Sequence, residues 1–345
     1  MRTWLAIAAA VVVIGAGTGI GLALGTHGSA PKAKTLPTVS VPSTTEAAAP
    51  LCPLTGTPAP GGAIPQRPAI AVKVDNYPAA RPQSGLDKAD IVFDEPVEGL
   101  ITRLVAVFQC QGSDLVGDVR SARAVDVAIA SQLSHPLFVH AGGIDPVIAA
   151  LQASPLTDDN LFTYPQLEKH NANRVAPYAT YTSTSAVWSL NASNTTPPAP
   201  IFSYASAVPA GGTPVSSVNI PFSSTNNATW TWNASANQWA LSYSGTPATV
   251  AGGGQIAVPN IVVLRVAISY GPWAEQPGSL EVQSQLVGSG AAMVLRNGQA
   301  ISGTWQRASA TVPATLVAAN GSTIALTPGP TWVEIVPTVT NLTTH

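Results

Sequence analysis

The sequence predicts an α+β protein: an N-terminal α/β segment with a partly parallel sheet, followed by an all-β segment, sandwich-like or barrel-like. Three observations predict this. From Leu51 to about Leu190 short apolar runs alternate with helical stretches, whereas from about Val215 onward only short strands and turns follow. Between them, residues 191–214 are rich in Pro, Gly, Ser, Thr and Asn and read as a linker. At 345 residues the chain is long enough for two cores, assigned here to 51–190 and 215–340.

In the first segment the strands are expected at Ala69–Asp75, Asp90–Phe93, Leu100–Gln109, Val116–Arg120 and Leu137–His140, where β-branched and aromatic residues run between turn formers. Helices are expected at Ala122–Leu133, capped by Ser121, and at Pro146–Ala153, capped by Asp145 with Pro146 in the first turn. In the second segment Thr229–Asn233 and Gln238–Tyr243 read as a hairpin. Asn260–Ser269, Leu280–Gln285, Ala291–Arg296, Gly298–Gln306 and Trp332–Val336 follow as strands. The aromatic set Trp230, Trp232, Trp239 and Tyr243 could offer flat rings to a sugar, but cross-strand packing is the commoner use of such rings.

Ahead of these segments, Trp4–Thr26 carries no charge and is long enough to span a bilayer, with Arg2 and the amino terminus on the cytoplasmic side. The expectation for residues 1–26 is a membrane anchor with the body outside the cell. Secretion after signal cleavage near Gly28-Ser29-Ala30 is the alternative, although Pro31 should hinder the peptidase. Residues 27–50 are a Pro/Ser/Thr/Ala tether that cannot repay ordering by burial.

Charged residues make up only 9% of the chain and hydrophobic ones 46%, with a net charge of −2. Such a balance gives no positive field for nucleic acid. Thirteen of the seventeen acidic residues lie between Asp75 and Glu168, so ionic chemistry belongs to the first segment. The two cysteines, Cys52 and Cys110, have no partners at zinc-ligand spacing, and in an exported chain they read as a disulfide. His135, His140 and His170 likewise lack ligand spacing, so no metal site is expected. There is no Gly-x-Ser-x-Gly elbow or Walker-type loop, and Ser29-Ala-Pro-Lys32 lies in the tether, where no site could be preorganised.

The most informative run is strand, Arg120-Ser-Ala-Arg123, helix, strand, His140-Ala-Gly142-Gly143, helix. If Val116–Arg120 and Leu137–His140 are parallel neighbours, both loops emerge at the carboxyl edge of the sheet, where open α/β sheets bind ligands. Arg120, Arg123, His140 and the amides around Gly142 and Gly143 would then face one crevice suited to an anion, phosphate or pyrophosphate above all. Arg103 and Arg174 are further candidate ligand-binding cations. The competing reading pairs Arg120 and Arg123 internally with Asp94, Glu95, Glu98 or Asp126. Asp75, Glu95 and Glu98 are also candidate carboxylates for an acid/base pair of the glycoside-hydrolase kind, with a structural role weighed above it.

The stretch RPAIAVKVDNYPAARPQSGLDKADIVFDEPVEGLITRLVAVF (Arg67–Phe108), with VGDVRSAR (Val116–Arg123), FVHAGG (Phe138–Gly143), NGQAISGTWQR (Asn297–Arg307) and PGPTWVEIVP (Pro328–Pro337), resembles the YerB-like lipoprotein family. The resemblance implies a two-domain envelope protein and names no activity. The chain departs from that family's pattern in three places. No lipobox cysteine follows the apolar segment, so the resemblance does not carry lipid attachment. Arg174-Val-Ala-Pro177-Tyr178-Ala179 stands where the family has Pro-His-Asn after an arginine, and Asp118 stands where it has proline.

The expected function is therefore an extracytoplasmic envelope protein with an anion-binding crevice in its first segment and no cofactor. Its partner would be a cell-wall or membrane-linked anionic ligand, or another envelope protein. The alternative is a phosphotransferase acting on polyprenyl-pyrophosphate-linked wall glycopolymers with a divalent cation. In layout and arginine placement the chain is similar to LytR-CpsA-Psr phosphotransferases, a likeness of plan alone.

Overall fold

The computed structural model describes residues 49–207, 211–276 and 279–345. The anchor expected at 1–26 and nearly all of the tether at 27–50 lie outside the described residues. Among the described residues no helix is long and apolar enough to cross a membrane.

The frame is an eleven-stranded mixed sheet. Its principal strands are β1 (Ile70–Asp75), β2 (Ile91–Pro96), β3 (Thr102–Phe108), β4 (Leu137–His140), β5 (Thr157–Asn160), β6 (Asn260–Val266), β7 (Gly288–Arg296), β8 (Gln299–Arg307), β9 (Thr315–Ala318) and β10 (Thr331–Pro337). They lie in the order β9-β8-β7-β6-β10-β2-β3-β1-β4-β5, with Thr213–Pro214 added beside β8. In the N-terminal part β1, β4 and β5 run parallel, while β2, β3 and β1 form an antiparallel meander. The C-terminal segment is mostly antiparallel, and its β10 lies parallel to both β6 and β2. A single sheet thus carries strands from both sides of the 191–214 connection.

Alternation along these strands explains why the sheet is buried on both faces. Ile70, Val72 and Val74 of β1, with Leu104, Ala106 and Phe108 of β3, face a second, six-stranded sheet that contributes Val218, Trp230, Trp239 and Leu241. Ala71, Val105, Val107 and Phe93 point the other way, onto Val125 and Ile129 of helix α1 (Ala124–Ala130) and Val147 and Leu151 of helix α2 (Asp145–Gln152). Side chains of period two serve two cores at once. The expected hairpin is present, with Trp232 opposite Trp239 at 5.0 Å between ring centroids and Trp230 edge-on to Trp332 at 5.4 Å. Trp230 and Trp239 are fully buried, so these two rings serve packing rather than an exposed sugar platform.

Three local expectations are corrected. The first helix begins later, with Arg123 rather than Ser121 at the cap position, because the Asp126 carboxylate reaches back to accept the Arg123 backbone N–H. In the second helix Ile144 is the cap and Asp145 lies in the first turn. The pairing of Val116–Arg120 with Leu137–His140 is not formed. Val116–Gly117 instead joins a small sheet with Thr180–Thr182, and β4 takes β1 as its parallel neighbour. Cys52 and Cys110 form a disulfide.

Candidate functional site

Although the expected strand pair is absent, Arg120 arrives at the expected edge. Beyond their paired residues β1 and β4 separate, and the segment after Gly117 enters between them. The Arg120 N–H donates to the Lys73 carbonyl and the Ala141 N–H to the Arg120 carbonyl, at 2.9 and 3.0 Å. The Ala122 N–H then donates to the Gly142 carbonyl at 2.9 Å. Arg120 therefore sits at the carboxyl ends of two parallel strands, the position where such sheets present ligands. A crevice of about 510 Å³ opens there, walled by Arg120, Ser121, Ala141, Gly143, Phe162 and Thr180 among others. Arg120 is the charged residue on that wall among the described residues.

The Arg120 side chain is 26% exposed, and its Nε lies 2.8 Å from Asp75 Oδ2. Asp75, at the end of β1, is thereby engaged by a cation, and its Oδ1 also accepts the Tyr77 N–H. Next to it, Asp118 is buried, and neither of its carboxylate oxygens has a hydrogen-bond partner in another residue. Burial first, and the neighbouring Asp75 charge second, push the Asp118 carboxyl up to about 7. Neither the repeat pattern nor the motif spacing marks Asp118 as titratable near neutrality; its departure from the family's proline was the one available signal.

The remaining expected residues surround the crevice without lining it, Gly143 excepted. Arg123 turns inward, only 1% exposed, and forks onto Glu98 with Nε and Nη2 each 2.9 Å from a carboxylate oxygen. Arg103 stands on β3, opposite Asp75 and Glu95 in register, and donates from Nη1 to the Ser121 carbonyl at 2.8 Å, holding the crevice wall from behind. His140 is fully buried, bonded through Nδ1 to the Gly142 carbonyl oxygen at 2.8 Å and through Nε2 to Asp158 at 2.7 Å. Gly142 carries φ +74, and a Cβ there would meet the Phe162 ring at 2.6 Å. Arg174 reaches the Ala79 and Ala80 carbonyls at 3.0 and 2.7 Å and ties its loop to that turn.

Of the candidate carboxylates, Glu98 is held by Arg123 and Glu95 by Lys73, a residue the sequence reading missed. Lys73 is fully buried between Glu95 and Asp126, at 2.7 Å from the latter. Burial lowers its pKa to about 8, against the raising influence of Asp126. A lysine in the middle of an apolar strand gives no sign of its partners until the strand is placed. With Asp75, Glu95 and Glu98 each engaged by a cation, the three form no open acid/base pair. Among the described residues no group of three or more His, Cys, Asp or Glu is placed to hold a metal ion.

Fold and crevice together define an α+β protein in which one mixed sheet, backed by helices on one face and a second sheet on the other, presents a polar crevice at the carboxyl edge of its parallel strands. The chain belongs to the DUF3048 family. Residues 54–197 match the model described as "Protein of unknown function (DUF3048) N-terminal domain", and residues 218–333 match that family's C-terminal domain. It is 29% identical over 297 residues to "Putative lipoprotein YerB" of Bacillus subtilis (strain 168), covering 83% of this chain and 86% of that protein. Its fold is similar to the crystal structure of the YerB protein from Bacillus subtilis, with a TM-score of 0.73 and 26% identity over 85% of this chain and 99% of that one.

Proposed function

We propose that the chain is an extracytoplasmic cell-envelope protein that binds a phosphate-bearing wall component in the crevice at Arg120, acting as a binding protein. The location is supported by the lipoprotein name of its Bacillus relative and by the uncharged Trp4–Thr26 segment. The site rests on one observation: Arg120 brings a lone charged side chain to the wall of a 510 Å³ crevice at a sheet's carboxyl edge. Its ion pair with Asp75 uses Nε, which leaves the two Nη groups at the exposed end to engage two anionic oxygens at once. Ser121 and Gly143 line the same wall.

The test is calorimetric titration of inorganic pyrophosphate, in EDTA and in magnesium, into the wild type and Arg120→Gln. Saturable binding in EDTA that is lost in Arg120→Gln supports the reading. Equal binding by both proteins, or none by the wild type, overturns it. Phosphate release that requires magnesium would replace the binding protein with the phosphotransferase.

A further inference from the structure

A second arginine meets the requirements of an anion receptor more fully than Arg120 does, in a different cavity. Arg81 is fixed on three sides. Its Nε donates to Asn76 Oδ1 at 3.0 Å, and its Nη2 donates to the Asn76 carbonyl at 2.7 Å and to Asn226 Oδ1 at 2.8 Å. Its guanidinium carbon lies 3.6 Å above the centroid of the Tyr243 ring. All these partners are neutral, and among the described residues no carboxylate oxygen lies within 4.0 Å of its nitrogens. Arg81 is a half-buried cation without an ion pair, held rigid by amides and an aromatic face.

These bonds leave Nη1 unused, and Arg81 lines a cavity of about 390 Å³, within the roughly 300–1,000 Å³ range of small-molecule sites. Pro82, Pro247 and Tyr243 give its lining an apolar part, and Thr225 and Thr249 line it too. The cavity is built from both matched segments, since the Arg81 turn precedes β2 whereas Thr225, Tyr243 and Thr249 belong to the second sheet and its loops. Asp94 and Asp75 act on Arg81 through space, raising its pKa against the stronger lowering by burial. Asp94 is pushed up to about 7, by burial first, and is opposed by the Thr102 and Tyr243 hydroxyls and by Arg81 itself.

We propose that this cavity binds a small organic carboxylate, one of its oxygens received by Arg81 Nη1 and its body lying between the prolines and Tyr243. A neutral sugar would leave Arg81 uncompensated. A phosphate ion has no apolar body for Pro82, Pro247 and Tyr243 to cover. A carboxylate carries one negative charge, which balances the single guanidinium, and can accept a charge-assisted hydrogen bond from Nη1. The proposal is independent of the Arg120 crevice.

The probe is N-acetylalanylalanine, titrated by calorimetry into the full chain in detergent micelles, beside its C-terminal amide and inorganic phosphate. Saturable binding of the acid is expected, at least tenfold weaker for the amide and for phosphate. Thr249→Trp places a ring in the cavity from an exposed position. It should weaken the acid at least tenfold with an unchanged melting temperature, as should Arg81→Gln if that variant folds. Arg120→Gln should leave the binding unchanged, which separates this site from the first. Equal affinity for acid and amide, phosphate binding as tight as the acid, or full binding by Thr249→Trp would each overturn the assignment.

Discussion

Replacing Arg123 by Ala should cost stability rather than a ligand, and the geometry sets the size of the loss. The Arg123 side chain is 2% exposed and that of Glu98 12%, with two hydrogen bonds of 2.9 Å joining them. Burial alone would raise the Glu98 pKa, but the Arg123 hydrogen bonds and charge outweigh it, and the net shift is downward. Removing the guanidinium leaves a carboxylate that has lost its counterion and only partly regains water. Breaking a buried pair from one side costs about 3–5 kcal/mol, and the residual exposure of Glu98 places this case near the lower end. Arg120→Gln leaves the buried Asp75 carboxylate with the Tyr77 N–H and an amide donor in place of the guanidinium, so it should cost about 1–2 kcal/mol, less than Arg123→Ala. Equilibrium urea unfolding of both variants, with the denaturant slope compared to the wild type, measures the difference. The double variant Arg123→Met/Glu98→Gln should recover much of the loss, since it leaves no buried charge. A loss below about 1 kcal/mol for Arg123→Ala, or a loss for Arg120→Gln greater than that for Arg123→Ala, would refute the assignment of structural and exposed arginines.

The other expectations concern pH, the disulfide and topology. Asp118 has a folded pKa near 7, above the unfolded carboxyl value, so it binds its proton more tightly when folded. Its contribution is favourable at acid pH and fades as pH rises from about 4 through 7. The wild type should therefore be more stable at pH 5 than at pH 8, and Asp118→Asn should shrink that difference by about 2 kcal/mol; an unchanged difference in thermal unfolding at the two pH values would contradict it. The Cys52–Cys110 disulfide closes a loop of 58 residues, and Cys52→Ser/Cys110→Ser should lower unfolding stability by about 4 kcal/mol in urea. Thiol labelling of the denatured, unreduced wild type should find no free cysteine. External protease should digest the body on intact spheroplasts while the protein fractionates with membranes; release of a form beginning near Pro31 into the medium would show cleavage instead.

What the sequence determined by itself was local and periodic. Apolar runs at Ala69–Asp75 and Leu100–Gln109 marked strands, and the hairpin of Thr229–Asn233 with Gln238–Tyr243 was legible because a hairpin's turn is a short-range property. Exported cysteines without metal spacing marked the disulfide. The anion crevice was legible only as a place: Arg120 and the turn at Gly142 and Gly143 lie at the carboxyl edge of parallel strands, but the strand beside β4 is β1, which no local pattern names. Tertiary structure alone decided which charges are available. Arg120 and Arg123 are three residues apart and chemically equal, yet one opens onto a crevice while the other is closed over Glu98 at the cap of the helix that begins at Ala124. Lys73 and Arg81 make the same point in opposite senses. A buried charge must be paired, so Lys73 takes Glu95 and Asp126 from strands and helices far along the chain. Arg81 is left without a carboxylate because its neighbours, Asn76, Asn226 and Tyr243, are neutral groups brought together only when the second sheet closes over the first.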